Sequence, residues 1–550
     1  MFPGPDDTDD LLTDDIPAVG HGIWTRILGE DAGPTPVPFT ATPGPRRIPG
    51  PTTTPLDYIQ LFLTDTFIDL IVTETNNYAA QWIQSHQVYL QTYPKSRVHQ
   101  WIKQGNTSRE EMKAFLSVVM NMGIVKKTAI ARYWDITNPS QSTPWFVEHM
   151  WRDRFILLLK FLHFNDNTAM PAPEHPDYKL YKVQPVIDNF KAKFLNFYVP
   201  NRDVAIDESM VGYRGKTPHL RQYMPNKHHA RFGIKLWLVC DSKTHYSCNF
   251  EVYKGAHAAA DAAAEEGTTY ALVRRLMEET DLLHQGYHLG CDNFFSSPKL
   301  FLDLFDDQTI ATGTVRSNRV GLPKQMLKEP LARGQVGERR RGPLLCVAYK
   351  DNNRRPVLLS TKAYSGFEDT RNARGREVRR PRIVNVYNSA MGGVDASDAR
   401  LYAYVSERRT IKWTLKLFFS LFGRACLNAF IIYNEHYTGT DKLQRLDFLI
   451  CGLELMMGNY APGKLPRKRR SQADIALAAQ APQPAVHPPQ HDYQPAAPSC
   501  KLEKIGDGKR RMCMHERLKN KKTVWQCAHC KVTMCPSCFI PYHKKRNMPV

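Results

Sequence analysis

Three aspartates in this 550-residue chain occupy positions from which carboxylates can hold metal ions. Asp207 directly follows the apolar segment 204–206, and Asp292 directly follows the apolar segment 287–291. Asp395 stands at the start of a predicted helix. Hard divalent cations such as Mg²⁺ or Mn²⁺ prefer carboxylate oxygens. Two such cations can activate a nucleophile and stabilise the leaving oxygen in phosphodiester cleavage. The three residues are therefore candidate metal ligands and catalytic groups for that chemistry.

Each aspartate taken alone has a second interpretation, because Asp after an apolar strand is also a common turn former or helix cap. The three together, in the order that one shared sheet would require, favour the metal site. Two acidic neighbours, Glu208 and Asp398, add negative charge close by. Asp398 is either a further catalytic residue or a side chain that faces solvent one helical turn after Asp395.

The segments around Asp207 and Asp292 follow a mixed α/β order. Alternating apolar residues and apolar runs predict three strands, a helix, a strand, a helix and a strand. This order is the ribonuclease-H-like plan, in which carboxylates at neighbouring strand ends converge. The predicted elements are strands at 204–206, 232–238, 246–252, 287–291 and 309–315, and helices at 268–283 and 298–305.

The charge of the chain indicates a polyanionic partner. Lys and Arg outnumber Asp and Glu by 74 to 54, a net charge of +20, which favours a nucleic acid or an anionic membrane surface. Apolar runs such as 415–422 are interrupted and fall short of the roughly 20 residues that span a bilayer, so no membrane partner is expected. The acidic N-terminus does not resemble a secretory signal, so the cysteines are expected in a reducing compartment.

Five of the twelve cysteines cluster near the C-terminus, a pattern typical of metal binding rather than of disulfides. Two CxxC pairs close together suit tetrahedral Zn²⁺, and their interleaving suggests a cross-braced module with two zinc ions, similar to a RING or PHD finger. The full ligand set stays open, since His515, His529 and Cys500 are alternatives at one position and reduced cysteines without metal are a simpler interpretation. The candidate ligands are Cys513, His515, Cys527, Cys530, Cys535, Cys538 and His543.

Three segments that contain the aspartates resemble the signature segments of piggyBac family transposases. The resemblance covers about residues 56–460 and the cysteine-rich tail. The three segments are Ala205-Ile206-Asp207-Glu208-Ser209 continuing to Tyr223-Met224-Pro225-Asn226-Lys227, then Cys291-Asp292-Asn293-Phe294-Phe295, and Tyr387-Asn388 followed by Gly392-Gly393-Val394-Asp395.

The resemblance implies an activity and a set of roles. It identifies Asp207, Asp292 and Asp395 as the catalytic triad of a DDD-type enzyme, and Asp398 as a further functional aspartate. The implied reaction is cut-and-paste DNA transposition through hairpin ends, with insertion at TTAA sites, by a dimer that acts on terminal inverted repeats. The tail departs from the family pattern, which usually begins with a CxxC pair, whereas here Cys513 is followed by His515 and Glu516.

Basic and aromatic residues are the candidate contacts with double-stranded DNA. The resemblance places a tryptophan near DNA at an Arg-rich helix start, which Trp413 matches, although this residue could equally anchor a helix in the core. The other candidates could equally be solvated surface charges. The run 464–470 has the composition of a nuclear import signal, which predicts a nuclear protein. The candidate contacts are Arg214, Lys216, Arg221, Lys227, Arg231, Lys412 and Trp413.

The chain is long enough for several domains. Two further functions stay open, a domesticated transposase descendant that binds DNA or chromatin without cutting it, and a zinc-dependent regulator. The predicted units are a disordered acidic arm (1–55), a helical dimerisation and DNA-binding domain in two parts (56–200 and 406–460), a catalytic domain in two parts (201–316 and 383–405), a basic β-rich insertion (317–382), a linker (461–499) and a zinc domain (500–550).

Overall fold

The computed structural model of the protein contains two compact units, Met1–Gly463 and Lys464–Val550. In the second unit, the strand Leu502–Lys504 pairs with Trp525–Cys527, and Arg511–Met512 pairs with Lys522–Thr523, both antiparallel. The residues that the structure describes are 21–50, 53–215, 217, 220–225, 227, 230–255, 267–371, 375–406, 410–461, 502–504, 511–512, 522–523 and 525–527.

The strands of the first unit carry the site. Most of them are rich in buried apolar residues, as expected for a sheet that is covered on its faces by helices. They are β1 Gly44–Pro45, β2 Tyr198–Val199, β3 Asp203–Gly212, β4 Arg221–Tyr223, β5 Phe232–Asp241, β6 Ser247–Val252, β7 His288–Cys291, β8 Ile310–Val315, β9 Val336–Arg341, β10 Leu344–Tyr349, β11 Val357–Ser360, β12 Phe367–Arg371 and β13 Glu377–Pro381.

Nine of these strands form one mixed sheet. Its order is β4-β5-β3-β7-β8-β11-β10-β9, and β6 also pairs with β5. The pairs β3 with β7 and β7 with β8 are parallel, whereas the other pairs in this sheet are antiparallel. The chain therefore makes the antiparallel strands β3, β5 and β6 before it adds the two parallel ones, in the order that the sequence predicts. The short strand β4, which the sequence did not predict, comes between β3 and β5 and pairs with β5.

Most of the helices share one continuous hydrophobic core with the sheet. A smaller cluster joins the strand residues Leu345, Val347 and Leu358 to Ile383. Several helices begin at side-chain caps, such as Thr54, Thr64 and Ser108, whose hydroxyl groups accept a hydrogen bond from a free backbone N–H of the first turn. The α-helices are α1 Pro55–Gln60, α2 Asp65–Ser85, α3 Gln87–Thr92, α4 Val98–Gln104, α5 Arg109–Ile124, α6 Pro144–His149, α7 Arg152–Phe161, α8 Gln184–Phe197, α9 Thr268–Glu279, α10 Pro298–Asp306, α11 Lys324–Lys328, α12 Arg382–Ala390, α13 Gly393–Tyr404, α14 Trp413–His436 and α15 Arg445–Met457.

The helical layer is built from both ends of the first unit. Helix α14 packs against α1, and α15 packs against α1 and α5, so segments that are more than 300 residues apart in the chain form one layer. By length and composition, α14 is the one described helix apolar enough to cross a membrane, but most of it is buried within the protein, as in the core helix of a globular domain.

The N-terminal arm differs from its prediction. The expectation of disorder over 1–55 is wrong for residues 21–50, while residues 1–20 lie outside the described residues. Thr25 bridges to Arg340 on β9, and the Asp31 carboxylate accepts hydrogen bonds from the Arg340 guanidinium at 2.8 and 2.6 Å. Strand β1 pairs with β2. Composition gives no sign of these contacts, because the partners of the arm lie hundreds of residues away in the chain.

The basic segment 317–382 also differs from its prediction, which was a separate inserted domain. Strands β11, β10 and β9 extend the main sheet from β8 by successive antiparallel pairing, and β12 and β13 form a two-stranded hairpin beside it. The physical reason is that β8 would otherwise expose an unpaired edge. Strands β9, β10 and β11 of the segment therefore belong to the same sheet as β3 and β7.

Candidate active site

The parallel register of β3 and β7 brings two of the predicted aspartates together. Ile206 pairs with Cys291 in that register, so Asp207 and Asp292 both follow the same rung of the sheet. Strand β7 ends there, but β3 continues to Gly212 because it stays paired with β5. Asp207 thus lies within a strand, not at its end as the sequence pattern predicts, and Asp292 follows the strand end as expected.

An acidic cluster forms at this position. Asp207, Glu208 and Asp292 each offer a carboxylate oxygen, and these atoms lie within 4.8 Å of one another. Only 7% of the surface of Asp207 is exposed. Carboxylates that converge in a buried place repel one another unless a cation or protons neutralise them. Since hard divalent cations prefer oxygen ligands, this donor set fits a Mg²⁺ or Mn²⁺ ion.

Burial shifts the protonation of the acidic cluster. It raises the pKa of Asp207 to about 8, with a further rise from Glu208 and an opposing effect of Lys227. Burial also raises the pKa of Asp292, and the nearby Arg316 opposes that rise. Without a cation, the two aspartates therefore retain protons at a higher pH than exposed carboxyl groups would.

The third aspartate stands beside the cluster and is linked to it by a lysine. The Lys227 Nζ lies 2.9 Å from Asp395 Oδ1 and 3.7 Å from Asp207 Oδ2. The Asp395 side chain is 68% exposed. Asp395 belongs to the first turn of α13, and the residue that caps this helix, Gly392, has a left-handed conformation with φ 102°. Among the described residues, the group within 4.8 Å does not include Asp395.

Asp398 points into the protein, so the solvent-facing alternative is wrong. Only 3% of its surface is exposed. Its Oδ1 atom accepts hydrogen bonds from Arg424 at 2.7 Å and from the Ser209 hydroxyl at 2.9 Å. The position of Asp398 is thus set by an ion pair with α14, a contact that no local pattern in the sequence indicates.

Of the basic loop residues that the structure describes, Lys227 is the one that enters the site. Arg214, Arg221 and Arg231 are exposed, and an Arg221 guanidinium nitrogen donates to the Gly215 carbonyl at 3.3 Å. Lys216 lies outside the described residues. The loop therefore presents arginines to solvent next to the acidic cluster.

Sequence reasoning missed three further basic residues at the cluster. Lys235 donates to Glu208 Oε1 at 3.1 Å and lies 3.6 Å from the centre of the Trp237 ring. Arg316 and Arg319 follow β8, and Arg319 donates to the Phe294 carbonyl at 2.5 Å. The adjacency of β8 to β7 was a usable signal, because the residues after two neighbouring parallel strands lie at one edge of the sheet.

Lys412 caps the N-terminus of α14, Trp413 is its first residue, and both are partly buried. The Lys412 Nζ donates to the Lys160 carbonyl at 2.5 Å. Burial, with a smaller contribution from Lys160, lowers the pKa of Lys412 to about 8. Trp413 lines a cavity of about 220 Å³ together with Tyr78 and His163, whose rings stack 3.5 Å apart.

The candidate zinc ligands fall in the tail. For Cys527 the structure describes the backbone, as the end of the strand Trp525–Cys527. The linker and the basic run 464–470 lie outside the described residues. So do the other candidate ligands, Cys513, His515, Cys530, Cys535, Cys538 and His543.

The fold and the site define a class of mixed α/β proteins whose sheet gathers buried carboxylates that suit a divalent cation, in a strongly basic chain. The chain belongs to the piggyBac-type transposase family, since the family model described as Transposase IS4 matches residues 54–430. The resemblance noted in the sequence is thereby confirmed.

Known proteins similar to the chain carry the same family name. It is 27% identical over 512 residues to the human PiggyBac transposable element-derived protein 3, which covers 89% of this chain and 76% of that protein. It is 23% identical over 455 residues to the human PiggyBac transposable element-derived protein 5, with 78% and 81% covered.

A solved structure has the same multidomain fold. It is the cryo-EM structure of a piggyBac transposase synaptic complex with hairpin DNA. The likeness has a TM-score of 0.65 at 24% sequence identity and covers 91% of this chain and 100% of that chain. Family and fold together support a DNA transposase.

Proposed function

We propose that the protein is a cut-and-paste DNA transposase that cleaves and joins phosphodiester bonds at the acidic cluster. The observation that carries this proposal is the convergence of Asp207, Glu208 and Asp292 within 4.8 Å in a transposase family member. The order of three antiparallel strands followed by two parallel ones supports a ribonuclease-H-like catalytic domain.

The residues at the cluster would have different roles in such a site. Asp207, Glu208 and Asp292 would hold Mg²⁺ or Mn²⁺, and two bound cations supply activation of the nucleophile and stabilisation of the leaving oxygen. Asp395 completes the triad of the proposal from the first turn of α13. Lys235 orients Glu208 through its hydrogen bond.

Lys227 lies between two of the proposed metal ligands, Asp207 and Asp395. Its ammonium group neutralises Asp207 and Asp395 in the protein alone. Lys227 belongs to a loop with exposed arginines, and phosphate groups are the usual partners of such side chains in a DNA complex. We assign to this loop the contacts with the DNA backbone near the scissile bond.

The finer steps rest on the family. Hairpin intermediates at the transposon ends, insertion at TTAA sites, terminal inverted repeats as the bound DNA and action as a homodimer are part of the proposal. The similar solved protein is a synaptic complex with hairpin DNA, which favours the hairpin route. The proposed compartment is the nucleus, which the basic run 464–470 favours.

The tail is proposed to bind Zn²⁺ and to contact the transposon ends. Paired thiolates with CxxC spacing suit zinc, and metal would stabilise a unit too small for a large core. Cys527→Ser combined with Cys530→Ser should release zinc, measured by elemental analysis, and weaken binding to end DNA. Unchanged zinc content would remove these two cysteines from the ligand set.

The experiment that tests the proposal is excision of a marker flanked by candidate terminal repeats. Cells would express either this protein or its Asp292→Asn variant. Excision by the first and not by the second, with TTAA restored at the donor site, supports the transposase and the role of the cluster. Equal excision by both proteins would contradict the role of Asp292.

A second candidate function is a transposase-derived protein that binds DNA without cutting it. The names of the human relatives, which describe them as derived from a transposable element, favour it. DNA binding and cation binding without excision of any repeat would identify this function.

A further inference from the structure

A buried charged network joins the strand that carries Asp207 to the helix that carries Asp395. Arg424 of α14 has no exposed surface, and its partner Asp398 of α13 is 3% exposed. Their closest atoms, a terminal guanidinium nitrogen and Asp398 Oδ1, are 2.7 Å apart. A charged pair with so little contact with water is rare unless its geometry is fixed by further hydrogen bonds.

The guanidinium group gathers three serines around the pair. One terminal nitrogen donates to the Ser209 hydroxyl at 3.1 Å, and the other donates to Ser247 at 3.1 Å and Ser397 at 3.2 Å. The Ser209 hydroxyl in turn donates to Asp398 Oδ1 at 2.9 Å. The network therefore joins β3, β6, α13 and α14.

The members of this network stand next to the proposed catalytic aspartates in the chain. Ser209 follows Asp207 by two residues on β3, so both side chains project from the same face of the sheet. Asp398 follows Asp395 by three residues, which places both on neighbouring turns of one side of α13. The hydrogen bond from Ser209 to Asp398 thus joins the same strand and the same helix that carry Asp207 and Asp395.

The close approach of the two helices has a local cause. A Cβ atom at Gly423 would lie 2.9 Å from Val405 Cγ2 and 3.1 Å from Leu401 Cδ1. Glycine at this position therefore lets α14 approach α13, and the next residue, Arg424, can then reach Asp398. A larger residue at Gly423 would require the side chains of Val405 and Leu401 to shift.

Stability alone does not account for charges at this place. Removing two charges from water costs several kcal/mol for each ion, and buried pairs can often be replaced by apolar residues of similar volume without loss of stability. The pair is also incompletely satisfied, because Asp398 Oδ2 and Arg424 Nε are buried without a hydrogen-bond partner among the described residues. What the pair supplies is a fixed geometry between α13 and β3.

We propose that Arg424 is a positioning residue, which acts through Asp398 and Ser209 to fix the separation of Asp395 and Asp207 and thereby the cation affinity of the site. The proposal rests on the proposed function, in which both aspartates serve one metal site. It gives Asp398 the role of an anchor for α13, not that of a metal ligand.

The test compares two buried ion pairs by exchanging each for apolar residues. The first variant carries Asp398→Leu with Arg424→Met. The matched control carries Glu111→Leu with Arg154→Met, a pair of the helical layer at 2.6 Å whose side chains are 11% and 6% exposed. Thermal unfolding confirms that each variant folds, and a Mn²⁺ titration followed by electron paramagnetic resonance gives the cation affinity.

The expected result is a loss of about tenfold or more in Mn²⁺ affinity for the first variant, as for other outer-shell groups that orient metal ligands, and no change for the control. An unchanged affinity in the folded first variant overturns the proposal. Loss of a merely structural contact would lower the unfolding temperature without changing the affinity of the protein that remains folded.

Two further variants keep the outcome decisive. If the first variant does not fold, Ser209→Ala is used instead, because it removes a single hydroxyl group. It should weaken Mn²⁺ binding by about threefold, less than the roughly tenfold or larger loss that follows when a whole orienting group is removed. Unchanged Mn²⁺ binding in Ser209→Ala overturns the proposal. Asp292→Asn is the reference for the site itself. If Asp292→Asn binds Mn²⁺ normally, the proposed metal site fails, whereas loss in Asp292→Asn without loss in the Arg424 variant rejects the positioning role only.

Discussion

Replacing Lys227 by methionine should strengthen cation binding, although it removes a basic residue from a DNA-binding protein. The Lys227 ammonium lies 3.7 Å from Asp207 Oδ2 and 2.9 Å from Asp395 Oδ1, with 14% of the side chain exposed. A cation that binds these carboxylates must either tolerate that positive charge or displace it. Both routes cost free energy, so both predict tighter binding in Lys227→Met.

The size of the effect follows from Coulomb's law. At a separation of about 4 Å and a water-like dielectric constant, a single positive charge and a divalent cation repel by about 2 kcal/mol. This free energy corresponds to about a 30-fold tighter binding of Mn²⁺. A less polar surrounding would increase the effect, because the interaction grows as the dielectric constant falls.

The assay is a calorimetric titration with Mn²⁺ at constant ionic strength and at several pH values. The pH series is needed because Lys227 lowers the pKa of Asp207 against the effect of burial, so that its removal lets protons compete more strongly with the metal. The comparison is therefore made where the affinity no longer rises with pH.

Two control variants separate charge from packing. Lys227→Arg keeps the positive charge and should bind Mn²⁺ like the parent protein. Arg231→Met removes an exposed charge of the same loop and should change the affinity little, because exposed charges are screened by water and salt. Weaker or unchanged Mn²⁺ binding in Lys227→Met would refute the reasoning.

Three further predictions concern Asp292, His288 and Asp31. Asp292→Asn should abolish excision while fluorescence anisotropy shows DNA affinity within about threefold of the parent, because phosphate contacts dominate that affinity. His288 is fully buried and burial lowers its pKa to about 4; since the unfolded histidine binds its proton near pH 6.5, stability should fall between about pH 6.5 and 4 by up to about 3 kcal/mol. Urea unfolding of His288→Gln should show a shallower fall, and an equal slope would contradict this account. Asp31→Asn should destabilise the protein by about 1–3 kcal/mol by leaving Arg340 poorly paired, whereas Glu30→Gln at an exposed neighbour should not.

The sheet was predictable from the sequence because its signals are local. Alternation of apolar residues over 232–238 predicts β5 Phe232–Asp241, and the segment 287–291 predicts β7 His288–Cys291. The adjacency of Asp207 and Asp292 follows from the parallel pairing of their strands, which the predicted helix between those strands favours. Patterns within a few residues thus reached both the core of the fold and two members of the acidic cluster.

The contacts that the sequence did not indicate are long-range and polar. Arg424 lies 26 residues after Asp398 in an apolar helix, where an arginine by itself would be assigned to a solvated face. The arm has a composition typical of disorder, yet Asp31 pairs with Arg340, 309 residues further on. Charge pairing at such distances along the chain depends on which elements the fold brings together, and the local periodicity of apolar residues does not predict it.

The balance of charge at the cluster connects these observations to DNA. Lys227 and Lys235 each neutralise one of its carboxylates in the protein alone, so the protein can fold without exposing the full repulsion of the acids. A metal cation bound at Asp207 would take over the neutralisation that Lys227 supplies there. Once released, Lys227 lies in a loop with exposed arginines, such as Arg214 and Arg231. There the Lys227 ammonium can donate to a DNA phosphate. On the proposed function, cation binding and DNA binding should therefore reinforce each other, and Mn²⁺ affinity should rise when end DNA is present.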